Sequence, residues 1–138
     1  MARTRPPQPP TQRLILDSGA VIALSRNDAR ARAALAAAYE VGARISIPSV
    51  VIAETVRGSA KDAPVNRVVN AVGEVISADE EVARIAGGLL GASRSRSTID
   101  ALIVATAIGL APAVILTGDP DDLGRLAGAH PDVSIQPL

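Results

Sequence analysis

Leu14-Ile15-Leu16-Asp17-Ser18-Gly19-Ala20-Val21-Ile22-Ala23-Leu24-Ser25, LILDSGAVIALS, runs three aliphatic residues into one acid and then into a dense apolar stretch. A short apolar run that stops at a carboxylate and restarts as a longer one predicts a buried strand followed at once by a helix. Ala113-Val114-Ile115-Leu116 repeats the first half of this pattern, reaching Asp119 and then a short helix over Asp121–Ala127. These two strands are the most continuously apolar in the chain, so they should lie centrally and side by side, buried on both faces.

The rest of the chain supplies further units of the same kind. An Ala-rich helix starts at Asp28 and reaches about Val41, with Gly42 as its stop. Ile45-Ser46-Ile47 reads as a strand, and Pro48-Ser49 opens a helix through Val51, Glu54 and Arg57 to Gly58. Val65, Val68, Val69 and Val72 have amphipathic helical spacing, and Val75-Ile76 makes a short strand. Ser77 and Glu80 form a capping-box pattern ahead of the stripe Val82, Ile85, Ala86, Leu89 and Leu90. After the Arg/Ser loop Ser93–Ser97 comes STIDALIVATA, Ser97–Ala107, apolar in nearly every direction around its helix. Val133-Ser134-Ile135 is the last strand. Strands alternating with helices define an α/β fold with a parallel sheet covered on both faces.

Composition sets the outer bounds. The 138 residues make one domain, 48% hydrophobic and 20% charged, with a core that must be aliphatic because Tyr39 is the only aromatic. One aromatic argues against recognition by base stacking. Net charge is zero, so a polyanion would have to be held by local basic patches or by metal ions. The absence of cysteine excludes disulfides and thiolate metal sites and fits a reducing cytoplasm. Residues 1–12 read as a flexible Pro-rich N-terminal arm without an apolar signal region, leaving 13–138 as the folded domain. Gly109 and Pro112 break the uncharged run Ala101–Gly118, so no membrane span is expected.

Of the fourteen carboxylates, four are tied to strongly apolar segments: Asp17, Glu54, Asp100 and Asp119. Each has a plain structural use. Asp17 can cap the helix after its strand, Glu54 can pair with Arg57, Asp100 can complement a helix dipole, and Asp119 can start a turn. Asp17 and Asp119, however, follow the two central strands, where parallel sheets bind ligands. A helix N-terminus facing the same edge adds Asp100. Acids gathered there repel one another unless a divalent cation binds. With no cysteine and one histidine the ligands would be hard oxygens, which suits Mg²⁺ or Mn²⁺.

In order along the chain, LILDSGAVIAL, SVVIAE, STIDALIVATA and VILTGDPDDL resemble the four acidic blocks of PIN-domain nucleases, and more narrowly of VapC toxins from bacterial toxin–antitoxin pairs. The resemblance covers Arg13–Leu138. It implies a three-layer α/β/α sandwich with a five-stranded parallel sheet, and metal-dependent cleavage of RNA. By the same resemblance Asp17, Glu54, Asp100 and Asp119 are the catalytic, metal-binding acids, with Ser18 and Thr117 as supporting hydroxyls. Asp121 and Asp122 depart from the usual pattern and offer one further ligand, without the sequence choosing between them. Arg94 and Arg96, in the loop before Asp100, are candidate RNA-phosphate contacts. The implied partners are RNA, a VapB-type antitoxin and a second copy of the chain.

Other parallel-sheet chemistries fit less well. A phosphoacceptor receiver needs a lysine after a late strand, and the only lysine is Lys61. A haloacid-type phosphatase needs Asp-x-Asp after its first strand, and a dinucleotide site needs glycines there rather than at Gly87–Gly91. A PIN-like module that binds without cutting, or a PIN ribonuclease without an antitoxin, are the remaining alternatives.

Overall fold

The computed structural model describes residues 12–128 and 130–138; the expected arm lies outside the described residues except for Gln12. The chain runs β1 (Arg13–Leu16), α1 (Ser18–Ser25), α2 (Ala29–Glu40), β2 (Arg44–Pro48), α3 (Ser49–Thr55), a 3₁₀ turn (Ala60–Asp62), α4 (Ala63–Val72) and β3 (Val75–Ile76). It continues through α5 (Glu80–Ser93), α6 (Thr98–Gly109), β4 (Ala113–Thr117), α7 (Pro120–Ala127) and β5 (Val133–Pro137). The five strands form one parallel sheet in the order β3-β2-β1-β4-β5. β1 and β4 are adjacent and in register from Arg13 opposite Ala113 to Leu16 opposite Leu116. They are the central pair that their apolar sequences predict.

This order fixes the layers. From β1 the chain steps outward to β2 and β3, then crosses back to β4 and steps outward to β5. Right-handed crossovers therefore put α1–α4 on one face and α5–α7 on the other. α5, α6 and α7 pack together, as do α1, α2 and α4, with α3 touching both α1 and α6. The aliphatic core joins Ile15, Leu16, Ile47, Ile115 and Leu116 of the sheet to Val21, Val51, Ile103, Val104 and Leu123 of the helices. α6 is buried along most of its length, from Ala101 to Ala107, which explains its lack of a polar face. None of the helices among the described residues is long and apolar enough to cross a membrane.

Three local details differ from the sequence reading. α3 ends at Thr55 rather than Gly58, because the N–H groups of Arg57, Gly58 and Ser59 all turn to the Asp62 carboxylate at 2.7–3.1 Å. Those donors, the Arg57 N–H first, hold Asp62 below the usual carboxylate range. The cap of α5 is Asp79, which accepts from Val82 N–H at 2.9 Å, rather than Ser77. Arg57 does not pair with Glu54; its guanidinium donates to the Ala53 and Val56 carbonyls.

At the N-terminal edge of the sheet, Arg13 donates to Glu74 at 2.7 Å and to Ser46 at 3.4 Å, and Arg44 reaches Glu74 at 3.3 Å. One carboxylate ahead of β3 thus ties together the starts of β1 and β2. Near that end, at the close of α2, Tyr39 and Val41 are 53% and 75% exposed.

Candidate active site

The strand order reverses its direction of growth between β1 and β4, so a crevice opens at their C-terminal ends. Asp17 leaves β1 directly into this crevice. It is buried, caps α1 and accepts from the Ala20 N–H at 2.8 Å, so the plain capping use is real. Burial pushes its pKa up, and the nearby charges of Asp100 and Glu54 push the same way. Hydrogen bonding from Thr117 and Ala20 opposes this without cancelling it. A cap needs only an oxygen acceptor; nothing in capping requires two further acids nearby.

Asp119 leaves β4 and occupies the cap position of α7 without making a side-chain cap bond. Its own N–H is held by the buried Thr117 hydroxyl at 2.8 Å. Partial desolvation raises its proton affinity, and Asp122 and Asp100 raise it further. Asp100 stands in the first turn of α6, where Ser97 occupies the cap position. The Ser97 hydroxyl does not cap the backbone. It donates to the Asp100 carboxylate at 2.7 Å and fixes that side chain.

Carboxylate oxygens of Asp100, Asp119 and Asp122 all lie within 4.8 Å of one another. Asp122, rather than Asp121, joins the group. With Asp119 as cap, Asp122 lies three residues on, one turn above it on the same side of α7, whereas Asp121 is rotated away. That i, i+3 spacing is the signal that separates the two acids. Asp122 also forms an ion pair with Arg125. Glu54 sits apart from the tight group, exposed on α3, and accepts a hydrogen bond from Ser18. It remains near enough for its charge to act on Asp17.

The donor set fits a hard divalent cation. All its atoms are carboxylate oxygens, and a spread of up to 4.8 Å is slightly wider than the span between opposite ligands around Mg²⁺ at about 2.1 Å. Their mutual repulsion is what a cation relieves.

Two backbones meet beside the acids. A Cβ built at Gly19 would lie 3.1 Å from the Gly118 nitrogen, 3.3 Å from its Cα and 3.4 Å from an Asp17 carboxylate oxygen. The turns carrying Asp17 and Asp119 therefore touch through two glycines, and no side chain wedges them apart.

The fold and this crevice define a class of parallel α/β proteins that carry acids where the strand order reverses. Residues 14–129 match the PIN domain model, and the chain belongs to the PIN domain family. No curated protein matches the sequence significantly. Solved structures do. A chain of VapBC2 from Rickettsia felis, bound to a promoter DNA fragment, superimposes with TM-score 0.70 at 19% identity over 91% of this chain and 98% of that one. A chain of a toxin–antitoxin complex from Klebsiella pneumoniae gives TM-score 0.64 at 21% identity, covering 87% and 94% respectively. A chain of DNA-bound VapBC from Salmonella typhimurium gives 0.62 at 18% identity, covering 92% and 98%. At these identities the likeness is one of fold.

Proposed function

We propose that this protein is a metal-dependent endoribonuclease and acts as the toxin of a toxin–antitoxin pair. The observation that carries the reading is the convergence of Asp100, Asp119 and Asp122 at the crevice, with Asp17 buried behind them and Glu54 beside them. A Mg²⁺ or Mn²⁺ ion bound there supplies water activation and neutralises phosphate charge. Asp100, Asp119 and Asp122, whose oxygens already converge, would hold it, with Asp17 and Glu54 as the further acids of the site. Ser97 orients Asp100, Ser18 orients Glu54, and the Thr117 hydroxyl fixes the Asp119 backbone. Asp119, exposed beside Asp100 and Asp122, is a carboxylate that can accept the proton of an attacking water. Arg94 and Arg96 contact RNA phosphates.

The toxin reading is supported by likeness to chains of VapBC complexes and by PIN family membership. A cognate VapB-type antitoxin in the cytoplasm covers the protein, and the chain forms a homodimer. The test is cleavage of unpaired RNA by purified protein with Mn²⁺ or Mg²⁺. Cutting should stop with EDTA and in Asp100→Asn, whose circular dichroism should match the wild type. Cutting that persists in Asp100→Asn, or its absence from the wild type across varied RNAs, overturns the nuclease reading. Expression without a partner should arrest growth; harmless expression of an active nuclease points instead to a PIN ribonuclease without an antitoxin.

A further inference from the structure

Next to the acid cluster is a 280 Å³ cavity lined by Arg94, Arg96 and Arg125, by Ser93, Ser95 and Ser97, and by Asp122. The alternation Ser-Arg-Ser-Arg-Ser has a structural logic. Ser93 donates to the Leu89 carbonyl at 2.7 Å, and its hydroxyl accepts the Ser95 N–H at 3.2 Å. The Ser95 hydroxyl accepts the Ser97 N–H at 3.1 Å, and Ser97 reaches Asp100. The serines fold the loop onto itself and tie it to the acid cluster, leaving the arginines between them to line the cavity. Among the described residues neither Arg94 nor Arg96 pairs with a carboxylate. Three guanidinium groups around one hollow, with a single carboxylate among them, lack an anion with several acceptor oxygens.

We propose that this cavity holds a backbone phosphate of the RNA adjoining the one cleaved, and that Asp122 couples its grip to the acid cluster. The proposal rests on the RNA reading above. Asp122 belongs to both sites: its carboxylate is part of the acid group and also pairs with Arg125. While that ion pair holds, Arg125 is partly neutralised. Loss of the Asp122 charge from that pair, as in Asp122→Asn, frees Arg125 for the phosphate.

The test reads binding without metal, so cleavage plays no part in it. A fluorescein-labelled, unstructured RNA dodecamer is titrated in EDTA at several KCl concentrations and followed by anisotropy. The slope of log affinity against log salt should fall by about 0.7 for each of Arg94→Ala and Arg96→Ala, one phosphate contact apiece, and by less for Arg125→Ala, which reaches the full value only where Asp122→Asn has broken its ion pair. Arg84→Ala, exposed and paired with Glu80 further back on α5, should leave the slope unchanged. Asp122→Asn should tighten binding about two- to fivefold. That gain should shrink in an Arg125→Ala background.

Unchanged slopes in all three arginine variants overturn the subsite, and an equal Asp122→Asn gain with and without Arg125 overturns the coupling. A polyglutamate peptide that binds through these arginines, where the dodecamer does not, assigns the cavity to an acidic protein segment and also overturns the proposal. Asp100-dependent cleavage with unchanged slopes defeats the subsite alone. Arginine-dependent slopes in a protein that never cuts RNA defeat the nuclease reading and leave the subsite standing.

Discussion

Replacing Gly19 by alanine tests whether the contact of two backbones sets the spacing of the acids. The new Cβ would sit 3.1 Å and 3.3 Å from main-chain atoms of Gly118, which cannot rotate out of the way. The β1–α1 and β4–α7 turns would have to part by a few tenths of an ångström. Alanine's helix preference contributes up to about 1 kcal/mol in favour of the variant. Overpacking against fixed neighbours costs about 1–3 kcal/mol. With the full helix preference counted, the expected net loss is therefore about 0–2 kcal/mol, against the gain expected at an open helical glycine.

Two other glycines serve as controls. A Cβ at Gly118 meets only Leu138 Cδ1 at 3.7 Å and Gly19 Cα at 3.8 Å, so Gly118→Ala should be close to neutral. Gly88, inside α5, has nothing within 4 Å, and alanine there should stabilise by about 0.5–1 kcal/mol. Urea unfolding at constant m ranks the variants, and calorimetric titration of Mn²⁺ on the same samples reads the acids. Only Gly19→Ala should lose both stability and several-fold in Mn²⁺ affinity. Gly19→Ala as stable as Gly88→Ala, with Mn²⁺ binding intact, refutes the reasoning.

Three further outcomes follow from charge. Asp17→Asn keeps a capping acceptor but removes a buried carboxylate, so the metal-free variant should be more stable at neutral pH and should gain less from Mn²⁺. The raised Asp17 pKa means the folded state binds its proton more tightly than the unfolded chain. Its stabilising contribution is present at low pH and is lost as pH climbs from the ordinary carboxylate range through the raised value; metal-free urea midpoints should show this pH-dependent loss weakened in Asp17→Asn. Glu74→Ala leaves Arg13, whose side chain is 17% exposed, without its acid and should cost about 1–2 kcal/mol in urea unfolding while sparing cleavage, since the pair sits at the opposite edge of the sheet.

The βα units were legible because Leu14–Leu16 and Ala113–Leu116 are apolar runs without helical periodicity, the first ending on Asp17 and the second reaching Asp119 after Thr117 and Gly118. From those runs the central strand pair and the crevice follow, and Asp100 joins through its place at a helix head. Contacts made across the fold were not legible. Nothing local distinguishes Gly19 from the open glycines of α5, since only the approach of Gly118 makes it tight. Asp62 resembles any surface acid until the chain after α3 folds back and presents three N–H groups to it. Arg125 is unremarkable in sequence, and its position between Asp122 and the arginine loop depends on how α7 packs against α5 and α6.

The solitary aromatic has an optical consequence. The chain has no tryptophan, so its ultraviolet emission comes from Tyr39 alone, half in solvent at the end of the sheet remote from the acids. Filling the acidic crevice with Mg²⁺ should leave that emission untouched, whereas a protein closing over the end of α2 should change it. Coverage of the end of α2 by a partner that itself lacks tyrosine and tryptophan can thus be followed in the same cuvette as metal loading, without a label.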